Sequence, residues 1–485
     1  MRDPATSPLP AWARLIDGLC LLLAVLALVI FASGGFRERI FGLRIALTSP
    51  YRLLLWAVAL SIVRHLVVRQ RPIYSDLPLR LRHAWRTREV QAAATAAAGT
   101  RIAILFVGYI AIFMVGFPKG QAPWRVAENE FGNLPARWDV GWYLGIAIDG
   151  YSYSDAAGAA ANQQNIVFFP AMPLLMRIAG RLFGGSSIAY VWGGTLVALL
   201  AFVGGLTYLF RIAREMLADD GDAAFAVWLV AAYPFAVWFG VPYTESLFLL
   251  GATGAFFHFR RGELVKAAAW GLLVGLTRPN GAFLSLPLAV LALEPWLPAK
   301  VVGAESPVRI ARSSDRTLSS LGRSLVAAAV PGFGALLYSA YIWGLTGDPL
   351  SWAEGHVAWG RSYQGLSILV TERYHFISEA GVYAYTSEWS NDLLQLLGVL
   401  FVLVPAWPIA RRLGLAYAVF VLVNILPPLA AGGLLSAGRF SSVLFPAFIW
   451  FASVIAERHR SAWLTSFMAL QALNAVLFYT WREMI

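Results

Sequence analysis

Cysteine occurs once in the 485 residues, as Cys20, and lysine only three times, as Lys119, Lys266 and Lys300. A single cysteine excludes an intramolecular disulfide, and no cysteine or histidine spacing resembles a zinc or redox motif. Charge of either sign is scarce. Asp, Glu, Lys and Arg make up 13% of the chain, against about 25% in a soluble domain. There is no GxxxxGK[ST] loop, no GxGxxG following a strand and no HExxH, so no nucleotide-binding α/β domain or zincin helix is expected.

Apolar residues fill the space that charge leaves. They are 59% of the chain, and the mean hydropathy is +0.63. Runs of about 20 apolar residues recur, the length that crosses a roughly 30 Å hydrocarbon core. The runs are continuous rather than alternating, which excludes a β-barrel. The expected fold class is an all-α polytopic membrane protein. Its net charge of +11 does not indicate nucleic acid, because the arginines sit in short loops between apolar runs, as the positive-inside rule requires.

Spans are expected at about 13–33, 51–68, 101–117, 187–210, 223–240, 244–259, 265–278, 282–297 and 324–345, with four more towards the C-terminus. That makes about thirteen helices. The first is read as a retained helix rather than a cleaved signal, since it is long and another span follows closely. After the second span come Arg64, Arg69, Arg71, Arg80, Arg82, Arg86, Arg88 and Arg101, against Asp76 and Glu89. This loop reads as cytoplasmic, as do those at Arg211 and Arg214, at Arg260, Arg261 and Lys266, and at 298–323. The N-terminus is then inside and the C-terminus outside.

The outer side receives 346–391 and also 118–186, in whose polar part before residue 166 Glu128, Glu130, Asp139, Asp149 and Asp155 outnumber Lys119, Arg125 and Arg137. Segment 166–184 is apolar but holds Pro170, Pro173, Arg177 and Arg181. It reads as interfacial or re-entrant, and a full span there would invert everything that follows. Three units are expected. Residues 1–96 form a two-helix extension with its basic loop, 97–297 a module carrying loop 118–186, and 298–485 a C-terminal transmembrane module with external loop 346–391.

The polar stretch from Arg137 to Pro173 concentrates the chemistry. Pro135 followed by Arg137-Trp138-Asp139 suggests the first turn of a short helix. Trp138 and Trp142, four apart, would share a face, with Asp139 beside Tyr143 on the next. A carboxylate at a helix N-terminus is favoured in its ionised form and can accept a proton, or can simply cap the helix. Arg278 and Arg439 fall at outer helix ends, where guanidinium forks suit phosphate oxygens or snorkel to lipid headgroups. Pro279-Asn280-Gly281 after Arg278 is a helix-ending signal. Glu245, two residues beyond Tyr243, is placed to orient Arg278, to bind a sugar hydroxyl or to cap its helix. His356 and Arg361, between aromatic residues Trp352 and Trp359, suit a sugar or phosphate site.

Arg137-Trp138-Asp139, Trp142-Tyr143, Ile146-Ala147, Gly150-Tyr151, Phe168-Phe169-Pro170 and Pro173 form one motif. Tyr243-Thr244-Glu245-Ser246-Leu247-Phe248 and Thr277-Arg278-Pro279-Asn280-Gly281 follow it in order. Together they resemble the GPI mannosyltransferase II (PIG-V) family of GT-C glycosyltransferases over roughly residues 100–460. The resemblance implies a GT-C fold with the catalytic acid in the first large extracytoplasmic loop. It also implies a polyprenyl- or dolichyl-phosphate sugar donor, typically mannose, and inversion at the anomeric carbon. Carried over by position, Asp139 is the general base, and Arg278 with Arg439 stabilises the departing lipid phosphate.

The family commonly has a His-Phe pair where this chain has Trp142-Tyr143. Loop 152–165 is also longer, and two helices precede the usual start. These departures bear on the acceptor, a glycan, glycolipid or protein, rather than on the chemistry. The lipid-phosphate sugar is a substrate, so no cofactor is implied, and activating a hydroxyl against a phosphate leaving group requires no metal. An Ala- and Arg-heavy, lysine-poor composition suits a GC-rich bacterium, with the site facing the periplasm or exterior. The expected partners are the donor, the acceptor and membrane lipids. Two other classes stay open: a transporter or flippase of lipid-linked sugars, marked by mid-membrane charges and repeated topology, and a non-catalytic subunit of a glycan-assembly complex.

Overall fold

The computed structural model describes residues 9–33, 36–40, 43–72, 74–75, 82–120, 123–154, 163–297 and 317–483, and for 32–47 the backbone alone. Asp76, Arg80, Asp155 and most of the basic loop 298–323 lie outside the described residues.

Helix α1 (Ala11–Ser33) and α2 (Pro50–Val67) pair through a short antiparallel hairpin, β1 (Phe36–Ile40) with β2 (Leu43–Leu47). A buried ion pair holds the two helices together. Arg64 Nη2 donates to Asp17 Oδ2 at 2.9 Å, and Nη1 donates to the Val68 carbonyl at 3.1 Å. A charge inside a span is tolerated only when it is paired in this way.

Helix α3 runs over Arg88–Met114, 27 residues. It therefore begins well before the expected start at 101, because the Ala-rich stretch at 92–98 is helix. Alanine is the strongest helix former, and Ala93, Ala96 and Ala97 are small enough to bury against neighbouring helices. Arg101, expected in the cytoplasmic loop, is consequently mid-helix and buried. Its Nη2 donates to the Ala231 carbonyl at 2.9 Å and its Nη1 to that of Ala236.

Short α4 (Val140–Asp149) and α5 (Ala171–Leu182) precede the 31-residue α6 (Ser187–Leu217), capped by Ser186 Oγ accepting from Ala189 N. Twelve residues make α5 about 18 Å long, too short to cross a bilayer core. It buries Met172 and Met176 and exposes Leu174 and Leu182.

Four further helices are also short: α7 (Asp220–Ala232), α8 (Glu245–Arg260), α9 (Leu264–Gly275) and α10 (Ser285–Leu293), of 13, 16, 12 and 9 residues. α8 is buried on all its faces, as expected for a helix that is apolar all round. α9 lies directly on α11 (Leu318–Thr346), where a Cβ added to Gly275 would meet the Pro331 carbonyl oxygen at 2.0 Å. The expected external loop 346–391 contains a helix that the apolar pattern does not announce, α12 (Ile368–Glu388), broken at Gly381 with φ 87°. The chain continues through α13 (Ser390–Leu403), α14 (Ala406–Arg412), α15 (Leu415–Gly432), α16 (Ala437–Ser441), α17 (Phe445–Val454) and α18 (Glu457–Tyr479).

Among the described residues eight helices are long and apolar enough to cross a membrane: α1, α2, α3, α6, α11, the α13–α14 unit, α15 and α18. The shorter α7, α8, α9, α10 and α17 account for the difference from the expected thirteen. Outward-facing Leu55, Leu66, Met114 and Val326 are two-thirds or more exposed, the pattern of an integral membrane protein whose outer surface meets lipid.

Ion pairs define one end of this bundle. Arg88 meets Asp220 at 2.9 Å, Arg211 meets Glu89 at 3.1 Å, Arg261 meets Glu215 at 2.9 Å, and Arg460 pairs with Asp222. These contacts gather the N-termini of α3, α7 and α18 and the C-termini of α6 and α8. At the opposite end Arg482 Nη1 donates to the Gly116 carbonyl at 2.8 Å, joining the C-termini of α3 and α18. Every segment of the motifs described above reaches that second end.

Candidate active site

The loop after α3 is pinned before it turns into α4. Arg137 is fully buried, donating from Nε to the Tyr479 carbonyl at 2.9 Å and from Nη1 to those of Asn133 and Ala136. It thus anchors the loop to the end of α18 and does not reach the cavity described below. Trp138 has left-handed backbone, φ 52°, a conformation that disfavours bulky residues. It is held there by an Nε1–H bond to the Phe478 carbonyl at 3.2 Å and by packing on Trp481.

That reversal starts the helix at Val140, with Asp139 at the N-cap position. Trp138 and Trp142 therefore do not share a helix face, contrary to the expectation from their spacing. Trp142 stacks on Phe168 and meets Trp359 edge-on, behind the cavity wall.

Asp139 emerges from this turn onto a chain of alternating charges. Its backbone N–H donates to Tyr243 Oη at 2.9 Å, and its Oδ2 accepts from Arg439 Nη1 at 3.2 Å. Arg439 Nε in turn pairs with Glu245 Oε1, which also accepts from Arg278 Nη2 at 2.6 Å. Arg278 Nη2 bonds Thr244 Oγ1 at 2.6 Å as well. The Arg439 guanidinium lies over Tyr243, 4.6 Å from the ring centre, and over Trp238 at 5.2 Å. Glu245 is fully buried at the first position of α8, where it bridges two arginines instead of capping its helix. Its Oε2, and Nε and Nη1 of Arg278, are buried without a hydrogen-bond partner among the described residues. Buried polar atoms are seldom left so.

The turn that presents Arg278 explains its sequence. α9 ends at Gly275, Arg278 is extended, and Pro279–Leu284 forms a 3-10 turn with Pro at its start. A Cβ at Gly281 would lie 2.1 Å from the Val274 carbonyl oxygen, so only glycine fits this close return. Asn280 Nδ2 donates to Asn424 Oδ1 at 3.2 Å, tying the turn to α15.

These segments enclose a cavity of about 620 Å³. Trp138, Asp139, Tyr143, Arg278, Asn280, His356, Arg361 and Arg439 line it. Tyr243 and Glu245 lie beneath the lining, and Arg137 and Trp142 stand outside it. His356 Nδ1 donates to the Trp352 carbonyl at 2.7 Å, which leaves Nε2 an acceptor, and burial holds this histidine below its ordinary value. Arg361 Nη2 donates to the Leu435 carbonyl at 3.0 Å. Burial raises the Asp139 carboxyl above the ordinary aspartate value, and the Arg439 charge opposes that rise.

Thr244, which the sequence placed in a motif without a role, serves as a hydrogen-bond partner, and residues that the sequence did not single out complete the site: Asn424 as a second partner, and Pro427, Pro428 and Ser436 as wall. Asn424 is 144 positions from Asn280, a separation at which no local spacing signals contact. Among the described residues no three His, Cys, Asp or Glu side chains converge as metal ligands. No protein-family model, no curated protein and no solved structure matches the chain.

Proposed function

We propose that this protein is a GT-C-type inverting glycosyltransferase, moving a sugar, typically mannose, from a polyprenyl-phosphate donor to an acceptor hydroxyl. The observation that carries the reading is the buried ladder Asp139–Arg439–Glu245–Arg278 at one cavity. It places one acid able to take a proton beside two arginines able to meet a phosphate. The three stretches that resemble the PIG-V family supply three of its four members.

In this mechanism Asp139 is the base. Arg439 occupies its Oδ2, and Oδ1 accepts the proton of the acceptor hydroxyl. The hydroxyl oxygen attacks the anomeric carbon from the face opposite the phosphate. The new glycosidic bond forms as the sugar–phosphate bond breaks, and the bonding pair leaves on the lipid phosphate. Arg278 and Arg439 stabilise that developing charge, and Glu245 holds both guanidinium groups in register before substrate arrives. Neutral His356, with Nε2 free to accept, orients a sugar hydroxyl, and the aromatic walls Trp138, Tyr143 and Trp359 exclude water.

The proposed topology puts the ion-paired, arginine-rich end in the cytoplasm and the cavity outside, with α7–α10 and α17 as shortened members of the thirteen helices. A transporter draws support from the charges within spans, Arg64 with Asp17 and Arg101. Those groups end on each other or on backbone carbonyls rather than at the cavity, which favours the enzyme.

The test is the anomeric configuration of the product. Purified protein given a polyprenyl-phosphate sugar of defined anomer and a panel of hydroxyl acceptors should yield a product of the opposite anomer by NMR. A product of retained configuration, or no transfer from any such donor, overturns the reading.

A further inference from the structure

α12 joins two helical units long enough to cross the membrane. α11 ends at Thr346, and α13 begins at Ser390. α12 therefore runs at the bilayer surface, at the end of the bundle where the cavity lies. Its first half, up to the break at Gly381, carries three rows of side chains at the three-and-four spacing of a helix face.

The inner row is Leu369, Arg373 and Phe376. Leu369 packs on the main apolar core, and Phe376 meets Trp389 with ring centres 4.6 Å apart. Arg373 is buried, donating from Nε to Asp392 Oδ2 at 2.7 Å and from Nη2 to Oδ1. Tyr385, beyond the break, donates from Oη to the same Oδ2 at 2.7 Å. Asp392 lies in the first turn of α13. One carboxylate thus holds both halves of α12 at the level where a span enters the bilayer.

The second row, about 100° further round the helix, is Val370, Tyr374 and Ile377. Val370 and Tyr374 are each more than two-thirds exposed. The third row, as far round again, is Thr371, His375 and Ser378, flanked by Glu372 and Glu379, all of them exposed. The apolar sector of the helix is therefore wider than the protein covers.

Two features identify what meets the bare part. α13 exposes Leu397 and Leu400, so the lipid-facing surface of the bundle leads up to the turn that holds α12. Tyr374, and Tyr383 after the break, are exposed at the depth where amphipathic rings favour the membrane–water boundary. The exposed rows carry the acids Glu372 and Glu379, while Arg373 faces Asp392. Anionic headgroups are thus offered no lysine or arginine.

We infer that α12 is an in-plane membrane anchor for uncharged lipid. Its Val370–Tyr374–Ile377 row enters the headgroup–acyl boundary of the leaflet at the cavity end, and its Thr371–His375–Ser378 row faces water. The anchor is continuous with the cavity wall. Between Arg361 and α12 the chain is pinned to α15 by the Gln364 and Gly365 N–H groups, which donate to the Ala430 carbonyl at 2.8 and 3.1 Å. The contact with lipid holds that wall at headgroup level, whatever reaction the cavity performs.

The experiment uses the full chain with Cys20→Ala in phosphatidylcholine nanodiscs, which leave both faces open to solutes. Val370→Cys, Tyr374→Cys, Thr371→Cys and Ser378→Cys are each labelled with a polarity-sensitive dye. Labels at 370 and 374 should lose most of their emission to a lipid carrying a nitroxide near its headgroup. They should lose less to a mid-bilayer nitroxide and little to aqueous iodide. Labels at 371 and 378 should show the reverse preference for iodide over nitroxide lipid. Equal iodide quenching of both rows would put α12 in water and overturn the inference. Labels at 370 and 374 that answer neither quencher would show a protein cover, such as a second copy, and overturn it too. So would lipid quenching that appears only when phosphatidylglycerol is added, because the attraction would then be electrostatic.

Discussion

Glu245 has no access to solvent and still accepts two guanidinium groups. Removing one partner of such a set leaves the others charged and buried, which costs about 3–5 kcal/mol. Glu245→Gln should therefore lower thermal stability in detergent measurably, whereas Asp139→Asn should leave the melting temperature nearly unchanged. Asp139 holds its proton more readily than a solvent-exposed aspartate does. Burial raises its protonation point, so as pH falls the base form is lost earlier than for a free aspartate. The acid limb of kcat/KM should accordingly lie above the ordinary aspartate value, and a limb at or below it would remove Asp139 as the essential base. The roles open for Glu245 in the sequence included capping and holding Arg278. Its buried contact with both arginines was not legible, because Arg439 comes from 194 positions away.

Elements carry the site through close backbone approaches. The turn after α9 returns so tightly that Gly281 meets the Val274 carbonyl. Gly281→Ala must move that backbone and Arg278 with it. The expected result is about 1–3 kcal/mol of lost stability, typical of overpacking, with a loss of transfer larger than that stability loss explains. Comparable melting curves with unchanged activity would contradict this account of the turn. Long apolar helices were legible as runs of hydrophobic residues, because burial in lipid demands such runs. The start of α3 was not, since Arg88, Glu89, Gln91 and Arg101 break up the apolar run there, although its alanines favour helix and pack against neighbouring helices. The reversal at Trp138 was also hidden. A left-handed tryptophan is stabilised by Phe478 and Trp481, more than 300 positions away, and no local preference announces it.

At the scale of the whole molecule, charge is partitioned between the two ends. Ion-paired arginines gather at the N-termini of α3, α7 and α18, and the cavity lies at the other end. The proposed topology, which follows the positive-inside rule, has the cavity end external. Because Cys20 is the sole cysteine, a Cys20→Ala background permits a direct check. In intact cells Tyr363→Cys, exposed at the cavity end, should react with a membrane-impermeant maleimide. His459→Cys, exposed at the ion-paired end, should react only after lysis. The reverse pattern would place the cavity inside.

The central claim is that Asp139 takes the acceptor proton in a sugar transfer from lipid phosphate. The most direct measurement is turnover of polyprenyl-phosphate mannose by purified wild type and Asp139→Asn, with acceptor present and melting temperatures matched. A positioned general base contributes about 10²–10⁴-fold, so the variant should lose at least about 100-fold in kcat while still binding donor. Wild-type turnover that survives in Asp139→Asn would contradict the account.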